Sequence, residues 1–137
     1  MKAKIATAAI LLAFSPLYAQ EDAPDPIDVT LDAEMEKNPS TAGMVGAASA
    51  ALEAWEKDIQ FSLDELKKTM SPEEIDVLVV SQKAWEVFAS TELDTQSEIF
   101  GKMEGTMWIP VSAVNSMKLY KERALRLRGY LQILSER

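Results

Sequence analysis

Hydrophobic residues recur at intervals of three or four along most of the chain, which is the spacing that places them on one face of an α-helix. One stripe predicts a helix over residues 41–70, and its members are Val45, Ala48, Leu52, Trp55, Ile59, Leu63, Leu66 and Met70. Another predicts a helix over 110–134, and its members are Ala113, Met117, Tyr120, Ala124, Leu127, Leu131 and Leu134. No long segment alternates with a period of two, so no sheet is indicated.

A third helix is predicted between these two, and its start is the clearest boundary signal in the chain. Ser71 is a good N-cap, Pro72 suits the first helical position, and Glu74 completes a capping box. The helix is expected to run to about Phe100. Its main apolar face consists of Ile75, Leu78, Val79, Trp85, Ala89, Leu93 and Phe100, and the arc is widened by Val77, Ala84 and Phe88. So broad an arc predicts a central helix that is packed on two sides.

The first 19 residues have the pattern of a secretory signal peptide. Lys2 and Lys4 supply a positive start, residues 5–14 are uncharged and mostly apolar, and Ser15-Pro16-Leu17-Tyr18-Ala19 follows. The apolar run is too short to span a bilayer, which needs about 20 residues. We therefore expect cleavage after Ala19 and a periplasmic or secreted protein without stable membrane insertion, with a retained N-terminal anchor as the less favoured alternative.

Residues 20–39 are acidic and contain three prolines, which disfavours a packed element. We predict a flexible leader there, with a short helical turn around 31–37. Residues 40–137 are expected to form a single domain at this length. The predicted fold class is therefore all-α, as an antiparallel bundle of three long helices that follows an acidic flexible N-terminal leader.

The composition excludes several kinds of chemistry. The 137 residues include no Cys and no His, so disulfides, thiol nucleophiles, Cys/His zinc sites and histidine general bases are ruled out. Neither a calcium-loop motif nor a glycine-rich phosphate loop is present. The paired carboxylates fall on helix surfaces and in the leader, where solvated charge is expected. We therefore predict a non-enzyme with no cofactor and no metal.

Charge is strongly negative and unevenly distributed. With 14 Lys+Arg against 22 Asp+Glu the net charge is −8, and loss of Lys2 and Lys4 with residues 1–19 would make it −10. Most of the acidic residues lie before residue 105, whereas residues 105–137 are net positive. Nucleic acid is not expected as a partner, because its phosphates require a basic surface.

Three polar residues fall within or beside apolar helix faces, and each needs a partner if it is buried. Gln82 and Glu92 lie on the Leu78–Trp85 side of the second predicted helix, and Arg123 lies on the third. We predict that Glu92 pairs with Arg123 and that Gln82 bonds a backbone group. A network that locks the helices together is favoured here over a ligand site.

Trp108 is a large aromatic residue in the glycine-containing loop that precedes the third helix. Two interpretations are equally open. It is a candidate anchor for a partner, because tryptophan is enriched at the energetic centres of interfaces. Alternatively, it closes the end of the bundle.

Several short motifs follow one another in a definite order. They are Ser40-Thr41-Ala42-Gly43-Met44, Trp55-Glu56-Lys57-Asp58-Ile59-Gln60, Met70-Ser71-Pro72-Glu73-Glu74, Gln82-Lys83-Ala84-Trp85 with Glu92, Gly105-Thr106-Met107, and Leu119 with Arg123. Together they resemble the LprI-like lysozyme inhibitor family, small exported helical proteins of bacteria, from about Ser40 to Leu131. The resemblance implies that the motif residues act as determinants of the fold; these are Trp55, Gln82, Trp85, Glu92, Gly105 and Arg123.

The family usually carries disulfide cysteines, and the resemblance aligns three of their positions with Gly46, Leu93 and Asn115. The chain therefore resembles a divergent, cysteine-free member. The resemblance implies an exported protein that inhibits a lysozyme-type muramidase by binding, with a basic lysozyme as partner. The alternative is a periplasmic adaptor or chaperone-like helical module that binds another exported protein.

Overall fold

The structure is a computed structural model that describes residues 23–137. These residues form four α-helices and no strand: α1 (Pro26–Lys37), α2 (Thr41–Thr69), α3 (Pro72–Phe100) and α4 (Trp108–Ser135). The all-α class and the three long helices are confirmed, but a fourth, shorter helix precedes them. The predicted signal peptide, residues 1–19, lies outside the described residues.

Helix α1 corrects the expectation of a flexible leader with one short turn. The Asp25 carboxylate caps the helix by accepting the backbone N–H of Ile27 at 2.9 Å, and Pro26 occupies the first turn. Leu31 is buried in the core, where α1 packs on α2. Pro26 is the first residue of the helix and Pro39 follows its end, so these prolines mark the ends of α1 and do not interrupt it.

The predicted start of α3 is confirmed in atomic detail. The Ser71 hydroxyl accepts the backbone N–H of Glu74 at 3.2 Å, and the Glu74 carboxylate accepts the backbone N–H of Ser71 at 2.9 Å. These reciprocal bonds satisfy two donors that the helix leaves without partners. Helix α4 begins at Trp108, two residues before the position that its apolar stripe predicted.

Helices α2 and α4 form the centre of the core. They run in the same direction, since Met70 at the end of α2 and Leu134 near the end of α4 line one groove. The fully buried large side chains include Trp55, Leu66 and Leu127. The two apolar stripes that predicted these helices are the ones that meet here, so both stripes are confirmed.

Helix α3 is not central, which corrects the expectation that it packs on two sides. It returns antiparallel to α4, as the salt bridge between Glu74 at its start and Arg137 at the chain end shows. Its contacts are mainly with α4, and its buried residues are Leu78 and Ala89. The second half of its broad apolar arc faces outward.

Candidate functional site

Trp55 of α2 is completely buried between two cations of α4. The Lys121 ammonium lies 5.7 Å and the Arg128 guanidinium 5.2 Å from the centroid of its ring. Both distances are in the range of cation–π attraction. The indole Nε1 has no hydrogen-bond acceptor among the described residues. Trp55 therefore has the surroundings of a core residue rather than those of a residue that meets a ligand.

Salt bridges beside this indole fasten α1 to α4. Asp25 accepts a hydrogen bond from Arg128, and Asp28 pairs with Lys121. Asp58 of α2 also accepts from the Arg128 Nε, at 2.8 Å. Carboxylates of α1 and α2 thus share the two cations of α4, and part of the positive charge of the C-terminal region is neutralised within the fold.

The electrostatics of this cluster favour its charged form. Burial of Asp25 opposes ionisation, but the backbone N–H of Ile27 and the Arg128 guanidinium outweigh it and hold the pKa of Asp25 below its ordinary value. The hydrogen bond to Asp58 raises the pKa of Arg128, and the bond to Asp25 adds to this effect against the opposing influence of burial.

Replacement of Asp25 by Asn is expected to weaken the docking of α1 in a pH-dependent way. Asparagine caps a helix about as well as aspartate, so Asp25→Asn removes the charge and retains the cap. We expect a loss of about 1 kcal/mol at neutral pH, typical of a partly exposed ion pair. Because the folded-state pKa lies below the unfolded value, this stabilisation is complete above about pH 4 and disappears as the pH falls through the folded-state pKa.

Urea unfolding of both proteins between pH 2 and pH 7 measures this difference. The matched control is Asp32→Asn, because Asp32 is an exposed carboxylate of the same helix. The difference between the Asp25 variant and the wild type should shrink toward zero at the acidic end. A difference that is constant across this pH range would show that the pair with Arg128 does not stabilise the fold.

A second cluster joins α3 to α4. The rings of Trp85 and Tyr120 meet edge to face, with centroids 5.4 Å apart and planes at 88°. The Arg123 guanidinium carbon lies 5.9 Å from the centroid of the Trp85 ring. Arg123 donates from Nε to the Gln82 Oε1 at 3.0 Å and from Nη2 to the Ser81 hydroxyl at 3.4 Å.

The predicted pairing of Glu92 with Arg123 is wrong. Arg123 bonds Gln82 and Ser81, and among the described residues Glu92 takes part in no salt bridge. Gln82 and Glu92 are ten residues apart on α3, which separates them by about 15 Å along the axis. A guanidinium bonded to the first therefore cannot reach the second.

Gln82 also differs from its expectation, since it bonds side chains rather than a backbone group. It accepts from Arg123 and donates to the Glu86 Oε1 at 3.2 Å. Burial lowers the pKa of Arg123, whose two acceptors are neutral groups. A buried guanidinium with directional bonds sets the position of α3 along α4, which is the helix-locking role that we favoured for this network.

The other two predicted site residues lie in the loop between α3 and α4 and at the first position of α4. Gly105 has φ of 96°, a backbone conformation that glycine adopts readily and other residues rarely do. Trp108, the first residue of α4, is half-buried with its ring centroid 6.3 Å from that of Phe100. This contact lies at the end of the α3–α4 pair. A role for Trp108 as a partner anchor remains a prediction.

An exposed apolar stripe on α3 is the feature that sequence reasoning missed. We call it the outer face, and its members are Val77, Val80, Ala84, Val87 and Phe88. Val77, Val80 and Val87 each expose more than 65% of their surface, and Phe88 exposes 53%. Their spacing of three and four places them opposite the face that packs on α4. The widened apolar arc had indicated this stripe, but we interpreted it as a second internal face.

The outer face leads into a groove where α3 begins and α4 ends. The groove has a volume of about 560 Å³, and Val77 lines it together with Tyr130 and Ile133. The side chains of Glu74 and Arg137 pair at 2.7 Å beside it. The apolar surface therefore spans two helices and includes a depression, as well as a convex helix face.

Two absences hold within residues 23–137. Within this range, no helix combines the length and the apolar character needed to cross a membrane. Nor does any set of three or more acidic side chains in this range come together in a way that could hold a metal ion.

Comparison with known proteins places the fold in a family. The solved structure of an uncharacterized protein from Burkholderia thailandensis is similar, with a TM-score of 0.77 and 26% sequence identity. The match covers 83% of this chain and 57% of that one, so this chain spans little more than half of that protein. No curated protein matches. A family model described as Lysozyme inhibitor LprI matches residues 32–127, more than two thirds of the chain. The chain therefore belongs to the LprI lysozyme inhibitor family.

Proposed function

We propose that the protein is exported and inhibits a lysozyme-type muramidase by binding it. The observation that carries this proposal is the match to the lysozyme inhibitor family over residues 32–127. That range begins within α1 and ends within α4, so it includes the whole cluster around Trp85 and Arg123 and, of the cluster around Trp55, the ring itself with Asp58 and Lys121. The match thus extends over parts of all four helices rather than one motif.

The charge distribution of the fold supports a basic partner. Lysozymes are commonly basic, and opposite net charges accelerate the association of two proteins. The net charge of this chain is −8. Within the structure, Lys121, Arg128 and Arg137 pair with carboxylates of other helices, and Arg123 is buried. Each of these pairs also neutralises a carboxylate, so the negative net charge of the chain remains as the overall field that an approaching protein meets.

Export is proposed on the pattern of residues 1–19, which places the protein in the periplasm or outside the cell. A cysteine-free chain gains no disulfide in that oxidising location. The two aromatic–cation clusters supply noncovalent connections between the helices instead. An exported inhibitor of this kind would act where muramidases reach the cell wall.

The purified protein is expected to slow the lysis of peptidoglycan by a basic c-type lysozyme. The inhibition should be stronger at about 20 mM salt than at about 300 mM salt, because salt screens the attraction between exposed charges. The measurement is the initial rate of turbidity loss from a peptidoglycan suspension at a series of protein concentrations. Lysozymes of other types should be assayed in parallel.

An unrelated acidic protein of similar net charge serves as the control, since polyanions can adsorb a basic enzyme without specificity. The proposal requires inhibition well beyond that of the control at equal concentration. If no lysozyme is inhibited at low salt, where attraction is strongest, the inhibitor function is rejected.

A second candidate is an adaptor or chaperone-like module for another exported protein. The outer face of α3 favours it, because an exposed apolar stripe is typical of protein-binding surfaces in general. Capture of one exported protein in stoichiometric amount, together with an absence of lysozyme inhibition, would favour this candidate.

A further inference from the structure

We propose that the outer face of α3, together with the groove at its N-terminal end, is the surface that binds the basic muramidase. The inference rests on the proposed function and adds to it the contact surface, which the family match does not specify. Its occupant is a basic protein that presents apolar side chains among its cations.

The burial pattern of α3 is the first argument. The helix has two apolar faces, and only the face with Leu78 and Ala89 is buried. Three valines and a phenylalanine on the opposite face are more than half exposed, and no other helix in residues 23–137 covers them. Soluble proteins seldom expose a contiguous apolar stripe of this length unless something binds to it.

Charge is the second argument, and it selects the occupant. Helix α3 carries seven acidic residues and one basic residue, Lys83. Glu73, Asp76 and Asp94 lie on the exposed side of the helix and form no salt bridge within the described part of the chain. An apolar stripe bordered by unpaired carboxylates complements a surface that presents lysine and arginine around apolar residues.

The same charges argue against a second copy of this chain. Two α3 helices packed through their outer faces would bring up to fourteen carboxylates together with two lysines, in either orientation. Like charges across an interface are unfavourable and are a common means of suppressing a wrong pairing. Self-association through this stripe is therefore opposed by charge, whereas docking of a basic protein is assisted by it.

The groove is the third argument. Interfaces draw most of their energy from a few large side chains that fill pockets near the centre of the contact. Val77 belongs both to the outer face and to the groove, so the two are continuous. With about 560 Å³ between α3 and α4, the groove can take one large apolar or aromatic side chain of the partner.

The test replaces two exposed valines of the stripe by lysine, in the double variant Val80→Lys/Val87→Lys. Both sites are about two thirds exposed, so the variant is expected to fold. It removes apolar contact and places positive charge against the basic partner. The matched control is Phe61→Lys, because Phe61 of α2 is 60% exposed and lies outside the proposed surface. Circular dichroism confirms that each variant folds.

Binding to a basic c-type lysozyme is measured by calorimetry, alongside the lysis assay. Cytochrome c is the probe for charge alone, since it is basic and is not a muramidase. We expect the double variant to bind the lysozyme at least about tenfold more weakly than the wild type, as for loss of central interface residues. Phe61→Lys should bind within about twofold of the wild type, as for a residue away from the contact.

Each other outcome overturns the inference in a distinguishable way. If the wild type inhibits lysozyme and both variants inhibit it equally well, the proposed function is supported but the outer face is not the binding surface. Equal affinity for lysozyme and cytochrome c would show that the protein attracts basic proteins through nonspecific charge alone. If light scattering shows that the wild type is a dimer and the double variant is a monomer, the outer face binds a second copy of this chain instead. Absence of any lysozyme binding by the wild type would reject the proposed function and this inference together.

Discussion

Replacement of Trp55 by alanine is expected to cost about 3–5 kcal/mol of folding free energy, the range found when a large buried aromatic side chain is deleted. Trp55 has no exposed surface and is the largest fully buried side chain. Its loss also leaves Lys121 and Arg128 without the ring between them, which removes two cation–π contacts. A small domain has only about 5–15 kcal/mol in total, so the variant should be largely unfolded or only marginally stable.

Thermal and urea unfolding followed by circular dichroism measure this effect. The matched control is Trp55→Phe, which keeps most of the ring volume. The indole N–H has no acceptor within residues 23–137, so its removal breaks no hydrogen bond there and the control should lose only about 1–2 kcal/mol. A loss below about 1 kcal/mol for Trp55→Ala would contradict the position of this residue at the centre of the α2–α4 core.

Replacement of Trp85 by alanine is expected to act locally and to release α3 from α4. Trp85 contacts Tyr120 edge to face and lies beside the Arg123 guanidinium. Helix α3 is attached through one face, so few other contacts compensate for the loss. We expect the free energy required to open α3 to fall by about 2–4 kcal/mol, because the variant creates a large cavity and also loses an aromatic pair.

Native-state hydrogen exchange resolves this opening helix by helix. In Trp85→Ala the amides of α3 should exchange faster, while those of α2 and α4 change less. Phe88→Ala is the control on the same helix, because Phe88 is an aromatic residue of the outer face. It should cost no more than about 0.5 kcal/mol, as for most surface substitutions. Equal effects of the two variants would mean that the two faces of α3 are assigned incorrectly.

Local sequence signals were sufficient for the long helices. The cap at Ser71 and the stripes around Trp55 and Leu127 depend on residues three or four positions apart, so their chemistry is visible in the sequence. The all-α class followed from these signals. The Trp85–Gln82 motif was likewise assigned to the correct helix, and both of its side chains meet Arg123 as parts of one cluster.

Other features depend on residues far apart in the chain, and no local pattern reveals them. Helix α1 is held by pairs such as Asp25–Arg128, which are 103 positions apart. Its acidic, proline-flanked sequence therefore resembled a flexible segment. Arg123 presents a similar problem, because its predicted partner Glu92 and its actual partner Gln82 lie on the same helix, and only the register of α3 on α4 distinguishes them. The broad apolar arc of α3 showed two apolar faces but not that one of them is turned outward.

The central position of α4 has a consequence for when the protein can fold. Helix α2 packs mainly on α4, α3 packs on α4, and the salt bridges of α1 also reach α4, which is synthesised after the other three described helices. A nascent chain that ends before residue 108 has α1, α2 and α3 but lacks their common packing partner. Non-local contacts of this kind form only after both partners exist. Packing of these four helices is therefore completed only once α4 has been synthesised.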